Sequence, residues 1–121
     1  MPAVTESEAR DGAAPSPIST LIVFTTLPDE AGAVKLAEAL LQHRLAACVH
    51  RLPAGVSMYR WNGTLTTAPE FTLIIKTTAA RWVELRDAIC ALHPYDTPEL
   101  LAITASAGLP EYLTWIVDET R

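Results

Sequence analysis

The stretch MYRWNGTLTTAPEFTLIIKTT, residues 58–78, sets two strand-like runs on either side of Asn62-Gly63. Asn and Gly both tolerate positive backbone φ, which the two-residue type I′ turn demands, and that turn's twist matches the twist of paired strands. The run ending at Trp61 and the run leading through FTLIIKTT to Thr78 therefore pair back antiparallel as one hairpin.

Working outward, LAACVHRLPAGVSMYRW, residues 45–61, reads as a strand interrupted at Pro53-Ala54-Gly55, which suits a bulge or bend in an edge-exposed portion. Upstream, STLIVFTT at 19–26 is a short, β-branched apolar run of the kind buried on both faces. Pro28 then suits the first position of a helix, with Asp29 and Glu30 meeting its positive end. Ala33, Leu36, Ala37, Leu40 and Leu41 share one face of that helix to about residue 44, and Gly32 weakens its first turn.

Downstream, Trp82, Leu85, Ile89 and Leu92 stand at helical spacing over 79–92, and the His93-Pro94 step ends that helix. PELLAITA, 98–105, reads as a largely buried strand. Pro110 opens a third helix with Leu109, Tyr112, Leu113 and Ile116 along one side. The order is β-α-β-β-α-β plus a terminal helix, an α+β ferredoxin-like sandwich with both main helices on one sheet face. The other face is apolar and needs the third helix or neighbouring subunits to cover it.

The 121 residues are half apolar, enough for one domain and one core. A net charge of -5 with scattered basic residues excludes a nucleic-acid or anionic-membrane surface, because neither phosphate nor acidic lipid is neutralised. No apolar run is long enough to span a bilayer. Residues 1–17 carry three acids, one Arg and no apolar run, so a disordered tail preceding a domain at 18–121, and a cytoplasmic location, are expected. Cys48 and Cys90 form neither a zinc nor a disulfide pattern and read as buried reduced thiols, with a soft-metal role for Cys48 the lesser reading.

LHPYDTPEL, residues 92–100, gathers the chemistry-bearing side chains. His93 is a metal ligand, with Asp96 or Glu99 beside it, or else a polar helix C-cap. Glu99 and Lys76 fall in apolar surroundings, so they pair with each other or line a polar pocket for a small anion. Tyr59, Arg60 and Trp61 precede the tight turn, where they anchor a neighbouring subunit or, together with Tyr95, bind a ligand. Enzyme signatures are missing: there is no GxSxG, no Walker loop, no GxGxxG and no HExxH, so no catalytic residue is assigned.

Five blocks together carry a family likeness: TTLPDEAGAVKLAEALLQHRLAACV, LPAGVSMYRWNGTL, EFTLIIKTT, LHPYDTPELLAI and GLPEYLTWI. In order and spacing they resemble the CutA family, named for divalent-cation tolerance and related in fold to the PII signalling proteins. The resemblance implies a non-enzymatic homotrimer whose strands extend across subunit boundaries, with no required cofactor and with Cu2+ or another divalent cation as the metal. In the copper site proposed for some bacterial members, a cysteine ends the first strand and two histidines precede Pro-Tyr. Here those places hold Thr25, Leu92 and His93. The alternative function is a PII-like sensor taking an anionic ligand near Lys76 and Arg60, against which the two-residue turn counts, since it leaves no long effector loop.

Overall fold

The computed structural model describes residues 15–121; most of the expected N-terminal tail, 1–14, lies outside the described residues. The elements are β1 (Thr20–Leu27), α1 (Glu30–Gln42), β2 (Cys48–Arg51), β3 (Gly55–Trp61), β4 (Thr64–Thr78), α2 (Trp82–Leu92), β5 (Leu101–Thr104) and α3 (Pro110–Glu119). A 3-10 turn at Ala79–Arg81 leads into α2. The sheet order is β2-β4-β1-β5, with β3 also on β4 and every pairing antiparallel. That is the ferredoxin-like topology.

The turn after β3 is as expected: Asn62 and Gly63 have φ of 49° and 77°. The proline break is more than a bend. Arg51 lies opposite Leu73 and Gly55 opposite Glu70, so four steps on one side face three on the other. One extra residue is accommodated, and the expected single strand becomes two, β2 and β3, in shifted registers. The pairing of β4 divides at the same place. Phe71–Thr78 lies beside β1, whereas Thr64–Glu70 pairs with β3 alone and forms a two-stranded arm. Its seven residue pairs make an arm on the order of 24 Å long.

Alternation assigns the faces. Leu21, Val23 and Leu27 of β1 and Leu73 and Ile75 of β4 point to one side, where they pack on Ala33, Leu36 and Leu40 of α1 and Leu85 and Ile89 of α2. Each fully buried Leu or Ile there contributes about 1.5–3 kcal/mol relative to exposure. Opposite positions in register share a face, so the other side carries two cross-strand rows. One is Cys48, Lys76, Ile22 and Ile103; the next is His50, Ile74, Phe24 and Leu101. Helix α3 covers part of this side through Ile116, and Arg44 holds its C-terminal end by donating to the carbonyls of Asp118 and Glu119. Leu101 and Ile103 remain 63 % and 54 % exposed.

Several expectations are corrected. Asp29, not Pro28, begins the first helix: it is the N-cap, and its side chain accepts the Gly32 N–H at 2.7 Å, so the glycine serves the cap. Leu92, expected on the buried stripe, is exposed at the last position of α2, one turn beyond the buried Ile89. The strand expected at 98–105 is only Leu101–Thr104 and is exposed, since it is the sheet edge and pairs with β1 alone. Leu109, the N-cap of α3, and Tyr112 within it are likewise exposed. Cys48 is half-buried and Cys90 is exposed, so two buried thiols are not found.

Candidate functional site

His93 caps α2, its backbone N–H donating to the Ile89 carbonyl at 2.9 Å, and its ring turns inward to 8 % exposure. There Nε2 lies 2.6 Å from the Thr26 carbonyl of β1, and Nδ1 accepts the Tyr95 N–H at 3.1 Å. Because Nδ1 accepts, the ring proton sits on Nε2 and is donated to Thr26. Both nitrogens are occupied, and neither has a free lone pair for a metal.

The rest of the junction is tied down in the same way. Thr25 Oγ1, fully buried, donates to the Glu99 carbonyl at 2.7 Å. Tyr95 packs its ring against His93, with centroids 5.0 Å apart, and its hydroxyl donates to Glu70 Oε2 at 3.3 Å. Burial pushes the Tyr95 phenol above its usual range, and the Glu70 carboxylate adds to this by charge and hydrogen bond; Tyr59 and Asp29 contribute less. The segment after α2 thus joins the end of β1 to the base of the β3–β4 arm.

The carboxylates of Asp96 and Glu99 face solvent at this junction. Among the described residues, no three His, Cys, Asp or Glu side chains converge as a metal site. Thr25 supplies no thiolate where the copper pattern has one, Leu92 supplies no imidazole, and His93 is committed to the backbone. The described residues of one chain therefore do not fit a transition-metal ligand set.

Lys76 does not pair with Glu99. Its place in β4 puts it on the open side, where Nζ stands 5.8 Å from the ring centre of Tyr112, a ring stacked on Trp115. Alternation along β3 places Arg60 on the opposite side of the arm from Tyr59 and Trp61. The structure brings Tyr59 and Tyr95 into one neighbourhood around Glu70, while Lys76 lies in a separate part of the sheet and Arg60 and Trp61 at the arm tip. Glu70 is the site residue that sequence reasoning missed. Its signal was a lone acid between Pro69 and an apolar strand. The Thr26 carbonyl gave none, being backbone.

This junction and the arm lie within a region of recognisable ancestry. The family model described as CutA1 divalent ion tolerance protein matches residues 21–119. The chain belongs to the CutA family. A divalent-cation tolerance protein CutA from Thermus thermophilus is 40% identical over 99 residues, covering 82% of this chain and 96% of the relative. The crystal structure of CutA from Xylella fastidiosa superposes with a TM-score of 0.83 at 47% identity, over 85% of this chain and 99% of that one. A structure from Archaeoglobus fulgidus, described as a periplasmic divalent cation tolerance protein, has a TM-score of 0.82 at 35% identity, over 84% and 99%. The family description is of ion tolerance and names no reaction. Among the described residues, no helix is long and apolar enough to cross a membrane.

Proposed function

We propose that this CutA family member works as a homotrimer, without catalysis and in the cytoplasm, and that divalent cations contact it at the His93–Glu99 junction. The observation that carries the reading is the open sheet face. Ile22, Phe24, Ile74, Leu101 and Ile103 form an apolar patch within the two cross-strand rows, beside Lys76 and His50, that α3 covers only in part. Copies of the same chain around a threefold axis bury such rows against one another.

The arm supports the same assembly. A two-stranded ribbon is marginal alone in water, and Val56, Met58 and Leu65 on one of its faces are each about 70 % exposed. Pairing it against a neighbouring subunit supplies both the missing strand contact and the apolar cover. Tyr59, Arg60, Trp61, Lys76 and Tyr95 then line boundaries between subunits, where small ligands bind. Two free cysteines support a reducing compartment.

In this reading the open donors are the carboxylates of Asp96 and Glu99, which suit hard divalent cations better than Cu(I). His93 joins them only by releasing the Tyr95 N–H. Calorimetric titration of metal-free protein with Cu2+ and Zn2+ tests this. Binding is expected to weaken in an Asp96→Asn, Glu99→Gln double variant; unchanged affinity there removes the junction as the metal contact.

A further inference from the structure

Far from the His93 junction, two grooves flank the side chains of Ile18 and Val117, which line both. The larger, about 390 Å³, lies between the start of β1, the segment after β5 and α3. Its polar lining consists of hydroxyl side chains, among them Ser19, Thr20, Ser106 and Thr114, and no titratable side chain lines it. The smaller, about 270 Å³, is bordered by Thr78, Arg81 and Arg121. Together they fall in the size range of small-molecule sites.

The decisive feature is where hydrogen bonding fails. Among the described residues, two buried side-chain polar atoms have no partner, Thr20 Oγ1 and Arg81 Nε. Thr20 is 7 % exposed and lines the larger groove; Arg81 lines the smaller. Buried polar groups are nearly always satisfied, so two orphans at adjoining grooves need an explanation. The other edge of the Arg81 guanidinium is already occupied, its Nη1 donating to Glu84 at 3.1 Å, and Arg121 is engaged with Asp118 at 3.0 Å. What Arg81 leaves unpaired is the Nε–H, a charge-assisted donor; like Thr20 Oγ1 it has almost no accessible surface, so a ligand in the grooves engages either atom by a turn of its side chain.

We infer that the paired grooves form a binding site for a small polyol carrying one anionic group, its hydroxyls toward Thr20 and its anion toward Arg81. Hydroxyl lining with apolar walls matches the uncharged body of such a ligand. The guanidinium edge matches its anion. Thr20 and α3 lie on the open side of the sheet beyond the two rows, and the site shares no residue with those rows or with the junction, so its test is read separately from those of the trimer and metal proposals.

Glycerol 3-phosphate is the probe, with glycerol and inorganic phosphate as its separate halves. In two-dimensional NMR of the 15N-labelled full chain, glycerol 3-phosphate is expected to shift the Thr20, Ser106 and Val117 amides and the Arg81 Nε–H resonance. Thr20→Val keeps the side-chain shape and removes the orphan hydroxyl; it is expected to weaken binding roughly tenfold while leaving thermal stability equal or higher. Arg81→Met is expected to weaken it at least tenfold. Equal binding by both variants, shifts confined to other residues, no shift at saturating probe, or inorganic phosphate alone binding as tightly would each overturn the assignment.

Discussion

The imidazole of His93 donates to the Thr26 carbonyl at 2.6 Å, so the end of α2 is fastened to the end of β1 by a side chain facing inward. With Tyr95 completing the ring's hydrogen bonds and reaching Glu70, the residue that looked most like a ligand is the pin of a three-way joint. That joint ties the base of the β3–β4 arm to the ends of α2 and β1.

Replacing the pin tests this role. His93→Ala removes both ring bonds and leaves a buried carbonyl unsatisfied, an expected loss of about 2–4 kcal/mol in chemical unfolding. A loss below half a kilocalorie per mole, roughly the scale of an ordinary surface substitution, would contradict it. Nitrogen-detected NMR of the wild-type ring is expected to show the proton on Nε2.

Tyr95 gives a pH signature. Its phenol is raised above the usual range by burial first and Glu70 second, so the folded state holds the proton more tightly than the unfolded chain. The sign follows: this contribution to stability is fully present below about pH 10, the ordinary tyrosine value, and is lost as pH rises through the raised one. The effect is small because Tyr95 is partly exposed. Ultraviolet titration should show Tyr95 ionising late, and Glu70→Gln should bring it earlier.

At the arm tip, Gly63 has φ of 77° and no atom within 4 Å of where a Cβ would stand. Gly63→Ala therefore measures backbone conformation alone, with an expected destabilisation of about 1–2 kcal/mol. Gly108→Ala is a contrasting case. There a Cβ would meet the Leu113 side chain, Cδ2 at 2.7 Å, so that side chain must turn aside. Because Cδ2 ends a flexible side chain, a destabilisation smaller than that of Gly63→Ala in chemical unfolding is its expected mark.

Assembly is tested on the open face. Ile103→Asp places a carboxylate beside Ile22 in the apolar row without touching the helix-side core. Light scattering is expected to give a trimer for the wild-type chain and a smaller species for the variant. A monomeric wild type at micromolar concentration would refute the homotrimer.

Much of the fold was legible in local chemistry. Asn62-Gly63 determined the hairpin because few residue pairs accept two consecutive positive φ values. The 3.6-residue spacing of Leu36 and Leu40, and of Leu85 and Ile89, located both core helices, since a helix buries one stripe. The five motif blocks, in order, carried the family. The split of one long strand into β2 and β3 was legible only as a proline-marked bend, because register depends on the partner strand.

What only the tertiary structure decided is which groups meet. The partner of His93 is a backbone carbonyl 67 residues away, and no side-chain pattern announces a carbonyl. Lys76 found an aromatic ring on α3 in place of Glu99, because strand alternation and helix packing, not proximity in the text, set its surroundings. Residue types and periods are local properties that a sequence carries openly. Hydrogen-bond partners at long separation arise when elements dock, and that docking made His93 a pin.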